Sequence, residues 1–167
     1  MAKKKINKSV WFWLIIVLGV AVLAVIIWRI IPRRQPINMD ELGWDNLYHY
    51  RNQELNFSLD LPEQFIYYQT ERTNSADYRE IRFYVPTSDP DYLYEALPSY
   101  AKPIIVRVYD EQAWNALSDN EESKSDFQKI TIKNGQVYLI RFWDRQPKDW
   151  QDKWSDEMKA AISQSLK

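Results

Sequence analysis

Residues 127–143 read FQKITIKNGQVYLIRFW, and the dipeptide at their centre decides how they are read. Asn134-Gly135 lies between two runs rich in β-branched and aromatic residues. That is a hairpin signal, because a two-residue type I′ turn needs positive φ at both central positions. Residues 127–133 and 136–143 are therefore predicted as paired antiparallel strands. Upstream, residues 103–110 read PIIVRVYD, apolar on both faces through Ile104, Ile105, Val106 and Val108, as a central strand is. Leu55, Phe57, Leu59 and Leu61 alternate with Asn56, Ser58 and Asp60, the pattern of a half-buried strand that Pro62 ends. Residues 65–72 and 79–85 flank the polar stretch 73–77 and predict a second hairpin.

Helix signals are fewer. Asp110 stands where a cap belongs for a short helix over residues 111–117, with Glu111 placed to offset the helix dipole. The C-terminal stretch KDWQDKWSDEMKAAISQSLK sets Trp150, Trp154, Met158, Ala161, Ile162 and Leu166 on one helical stripe, a core face. Residues 88–102 read as a loop with a helical turn near 93–97. About six antiparallel strands with helices packed on their faces predict an α+β domain over residues 40–167.

Ahead of that domain, residues 10–28 form the uncharged run VWFWLIIVLGVAVLAVIIW. At about 1.5 Å per residue, 19 residues reach roughly 28 Å, close to the hydrocarbon thickness of a bilayer. Trp11 and Trp13 at one end and Trp28 at the other suit the headgroup boundary, where Arg29 can snorkel. The run exceeds a signal-peptide core, and no small-x-small site follows it. The expectation is a basic cytoplasmic tail over 1–9, a transmembrane helix over 10–31 and a linker over 32–39, stiffened by Pro32 and Pro36.

Charge divides along the same boundary. The first 35 residues hold seven Lys/Arg and no acid, which leaves 15 of the 22 bases against all 23 acids downstream. The basic flank predicts a cytoplasmic N-terminus and an extracytoplasmic domain in the cell membrane. The acidic remainder argues against nucleic acid as a partner. With no cysteine, disulfide scaffolds, thiol nucleophiles and thiolate metal sites are excluded.

Tyr50-Arg51-Asn52, then Leu55-Asn56-Phe57-Ser58-Leu59, then Leu61-Pro62-Glu63-Gln64-Phe65 resemble the opening of PsbP-like domains. There a Phe-Ser-Leu strand runs into a Leu/Tyr-Pro pair followed by a bulky aromatic. The later Asn134-Gly135 hairpin and the final amphipathic stretch fit the same order. The resemblance implies an α/β/α sandwich around an antiparallel sheet, as in small membrane-attached or secreted bacterial proteins. The photosynthetic role of the plant members does not transfer, because the matching residues are core positions.

Chemistry-bearing candidates are sparse. His49 is the only histidine, so multi-histidine metal sites are impossible, and it reads as a strand-edge or surface residue. The acidic stretch 119–126 fails the calcium-loop pattern, with Lys124 where glycine belongs and Ile130 where glutamate belongs. Asp89-Pro90-Asp91 reads as a turn. Asp144 and Asp149, with Glu157 nearby, are the carboxylates an acid–base pair would draw on, and their spacing is also that of surface charge. Only Gly43 and Gly135 lie beyond the apolar run, too few for a glycine-rich phosphate loop.

Tyr92, Tyr94 and Tyr100, with Leu93 and Leu97, form the candidate binding surface, since tyrosine supplies contact area at low entropic cost. These signals favour a non-enzymatic binding or accessory module of the cell envelope, without a cofactor. Its expected partners are the lipid bilayer and an envelope protein. A divergent envelope hydrolase using carboxylates and a structural subunit of a secretion or conjugation complex are the alternatives.

Overall fold

The computed structural model describes residue 19 and residues 41–117, 124, 126–143 and 145–167. The chain divides into two units, Met1–Pro36 and Ile37–Lys167, and every element below belongs to the second. Apart from Gly19, the predicted membrane run, with Trp11, Trp13, Trp28 and Arg29, and the linker 32–39 lie outside the described residues. Among the described residues no helix is long and apolar enough to cross a membrane.

Among the described residues, seven strands and two α-helices follow one another: β1 (Leu47–Asn52), β2 (Phe57–Pro62), β3 (Gln69–Asn74), β4 (Tyr78–Pro86), β5 (Tyr100–Asp110), α1 (Glu111–Ala116), β6 (Gln128–Lys133), β7 (Gln136–Phe142) and α2 (Asp156–Ser165). Single 3-10 turns occupy Glu63–Phe65, Pro90–Tyr92 and Lys148–Trp150. β1 and β2 make a two-stranded antiparallel sheet, and the other strands make a five-stranded antiparallel sheet in the order β3-β4-β5-β7-β6.

The expectation of an α+β domain with an α/β/α sandwich is therefore corrected. The described fold is mostly β, two antiparallel sheets with two helices among the described residues. Period-2 burial explains the difference. Phe57, Leu59 and Leu61 of β2 and Tyr48 of β1 bury against Ile81, Phe83, Val85, Ile104, Val106, Val108, Tyr138 and Ile140 of the larger sheet. A sheet, rather than a helical layer, covers most of that face. α2 adds buried Ile162 with half-buried Met158 packed beside it, and the chain after it adds Leu166. Trp150 and Trp154 are core residues as predicted, but they precede α2, which starts only where Ser155 accepts from the N–H of Met158 at 3.2 Å. Asp110 occupies the N-cap position of α1 without a capping bond; it pairs with Arg79 at 3.1 Å instead.

The hairpin signal reads correctly: Asn134 and Gly135 have φ of 52° and 71°. β1 was not predicted. Its signal was the alternation of Tyr48 and Tyr50, which face the core, with His49 and Arg51, which are exposed.

Candidate binding groove

The outer face of the five-stranded sheet positions a groove of about 390 Å³. Its floor comes from β4, β5 and β7, and its wall from the loop between β4 and β5. Along β4, Ile81, Phe83 and Val85 take the core face, so Glu80, Arg82 and Tyr84 stand on the outer one. On β7 the same alternation turns Arg141 outward between Ile140 and Phe142.

β5 contributes Lys102 through an irregularity. Phe83 pairs with Ile104 while Val85 pairs with Ala101, so β5 carries an extra residue over that interval. A bulge of this kind re-aims a side chain and accommodates Pro103, which cannot donate to a ladder. Lys102 shares the even parity of Ile104, Val106 and Val108, which are core residues. The bulge reverses that parity. Ala101 joins the core, and Lys102 lines the groove.

Three tyrosines line the same groove with their hydroxyls already engaged. Tyr84 donates to Glu71 at 2.7 Å, Tyr92 donates to the Arg145 carbonyl at 3.0 Å, and Tyr100 accepts from Gln69 at 2.9 Å. Burial and the Glu71 carboxylate push the Tyr84 hydroxyl up to about 12. Burial likewise raises Tyr92. These tyrosines present ring surface, with Phe142 and Trp143 beside them.

Polarity comes from Arg82, Lys102, Arg141 and Arg145, with Glu95 the one carboxylate in the lining. Arg82 is committed to Glu80 at 2.7 Å and Glu71 at 3.5 Å, Arg141 lies 3.6 Å from Asp126, and Arg145 pairs with Asp91. Lys102 has no ion pair among the described residues. Burial depresses its pKa, and the charges of Arg82 and Arg141 add to that effect against Glu80 and Glu71.

Of the predicted binding residues, the fold brings Tyr92 and Tyr100 together here and leaves Tyr94 out of the lining, 97% exposed. Arg82, Tyr84, Lys102, Arg141 and Arg145 were not predicted. The one available signal was Pro103 inside an otherwise central strand, which marks a bulge.

The remaining candidates have structural partners. His49 holds Asp60 through Nδ1 at 2.8 Å and Asp45 through Nε2 at 3.3 Å, beside a separate cleft of about 540 Å³ that also contains Arg51, Lys133 and Lys167. Asp149 accepts from Thr87 and Ser88, and Glu157 lies in the first turn of α2 beside Ser155, which helps lower its pKa. Asp144 and most of the acidic stretch 119–126 lie outside the described residues. Among the described residues no group of three His, Asp or Glu is placed to hold a metal ion. Comparison with protein-family models, curated proteins and solved structures found no match.

Proposed function

We propose that this chain is a membrane-anchored, non-enzymatic binding module of the cell envelope. It sits on the outer side of the membrane, held by the apolar run 10–28, and takes an acidic, aromatic-containing segment of an envelope protein in the outer-face groove. The observation that carries this reading is Lys102, a half-buried cation without an ion-pair partner among the described residues, set among aromatic rings. A carboxylate entering there would restore to the ammonium the stabilisation that burial removes. With the three tyrosine hydroxyls already bonded, the rings offer contact area and the cations offer the polar recognition.

The test uses the full chain in detergent and a fluorescent peptide, acetyl-Glu-Phe-Asp-Trp-Glu, as the probe. Wild type binds it, and Lys102→Glu weakens binding by at least about tenfold, the cost of a like charge at a recognition site. Lys133→Glu, at the far end of β6, leaves binding unchanged. Absence of binding to the wild type, or equal loss in both variants, overturns the proposal.

A further inference from the structure

We infer that one end of the domain is a lipid-contacting surface that rests in the headgroup region of the membrane holding the chain. The inference depends on the membrane-anchored reading and not on the groove. Seven large apolar side chains are exposed among the described residues, and six of them lie at one end: Leu42, Trp44, Ile66, Tyr67, Leu93 and Tyr94.

Topology places them there. Gln69 of β3, Tyr84 of β4, Tyr100 of β5 and Phe142 of β7 mark this end of the larger sheet through their pairings. Leu93 and Tyr94 follow the 3-10 turn in the loop between β4 and β5, and Ile66 and Tyr67 lie in the short link between the turn Glu63–Phe65 and β3. Leu42 and Trp44 flank Gly43, whose N–H bonds the Leu47 carbonyl at 2.8 Å and folds this stretch over the start of β1. Leu47 pairs with Pro62, and the Tyr48 and Tyr68 rings lie 6.1 Å apart, so this end of β1–β2 coincides with that of the larger sheet. The seventh residue, Ile132, lies at the opposite end, beside the Asn134-Gly135 turn.

Two further observations select lipid as the occupant. First, the chain enters the domain at this end: residues 29–41 alone separate Trp28, the last residue of the apolar run, from Leu42. Second, Trp44 is 98% exposed, and Tyr67 presents its ring from a backbone φ of 61°, a costly conformation for a bulky residue. Amphipathic rings of this kind favour the bilayer interface. The rim carries Glu41, Asp45, Glu63, Asp91 and Glu95 against Arg145 and Lys148, so contact comes from apolar insertion and does not require anionic lipid.

Because the chain has no cysteine, Trp44→Cys, Tyr94→Cys and Ile132→Cys each provide a single site for an environment-sensitive NBD label. The labelled full-length chains are reconstituted into phosphatidylcholine vesicles, floated, and then measured with nitroxide lipid present. Labels at 44 and 94 should be blue-shifted and quenched at least about twice as strongly as the label at 132, as interfacial residues are. Adding phosphatidylglycerol should change little. A chain that floats with equal quenching at all three sites overturns the lipid surface alone. A chain that does not float overturns the membrane anchor, and this inference with it. A blue shift that follows protein concentration and ignores nitroxide lipid assigns the surface to a second copy and overturns the inference.

Discussion

Asp89 and Asp149 each hold the segment that carries the other. Asp89 accepts from the N–H of Lys148 at 2.9 Å, while Asp149 accepts from the Thr87 hydroxyl at 2.6 Å and the Ser88 N–H at 3.0 Å. Trp150 closes the clasp by donating from Nε1 to the Pro86 carbonyl at 3.1 Å. Two stretches about sixty residues apart are thereby locked at the end of the domain where the β4–β5 loop forms the groove wall. Thr87 is buried, so Asp149→Ala leaves its hydroxyl without that acceptor and should cost roughly 1–3 kcal/mol, read as a lower urea midpoint.

The clasp also predicts acid sensitivity. The Lys148 and Asp91 N–H groups hold the Asp89 carboxyl below its usual range. At Asp149 burial works the other way, and the bonds from Thr87 and Ser88 outweigh it to lower the pKa as well. Depressed folded-state values mean that this stability is present above the unfolded value, near 3.9, and is lost as pH falls through the folded ones. Urea midpoints between pH 5 and pH 2 should therefore fall less steeply in Asp149→Ala than in the wild type.

His49 carries the opposite sign. Its hydrogen bond to Asp60 raises its pKa above 6.5 against some burial, with Asp45 adding to the rise. The stabilisation is complete below the unfolded value and disappears as pH rises through the folded one. Denaturant midpoints at pH 5.5 and 8.5 should therefore differ more in the wild type than in His49→Gln.

Glu80 is a buried carboxylate shared by Arg82 at 2.7 Å and by Arg107 at 2.7 and 2.8 Å. Glu80→Ala takes that anion from two guanidiniums on the sheet and should cost about 3–5 kcal/mol in equilibrium unfolding. Because Arg82 lines the groove, probe binding should also weaken in the fraction that remains folded.

Gly135 isolates a backbone effect. A Cβ built there meets nothing within 4 Å, yet φ is 71°. Gly135→Ala should therefore lower unfolding free energy by about 1–2 kcal/mol through strain alone, whereas Gly135→Asn should lose less.

Strand positions were legible wherever alternation or turn chemistry was local, as in β2, β6–β7 and the β3–β4 hairpin. Prediction failed where a helical period and a turn bury the same residues. Trp150 and Trp154 sit four apart, as on a helix, yet a 3-10 turn carries one and the approach to the Ser155 cap carries the other. Tyr92 and Tyr100 were visible as loop aromatics, but their hydroxyl partners, Arg145 and Gln69, lie 53 and 31 residues away. No local pattern encodes pairings at that separation.

The amino-acid order alone determined the apolar run, the charge division at residue 35, the absence of thiol chemistry and the Asn134-Gly135 turn, because each depends on neighbouring residues only. Tertiary structure decided what covers the large sheet and which cations meet the tyrosines. Lys102 shows why: its parity along the chain points to the core, and a one-residue bulge against β4 turns it to the groove. A strand's two faces are chemically defined by sequence, but the register that aims them is set by the partner strand.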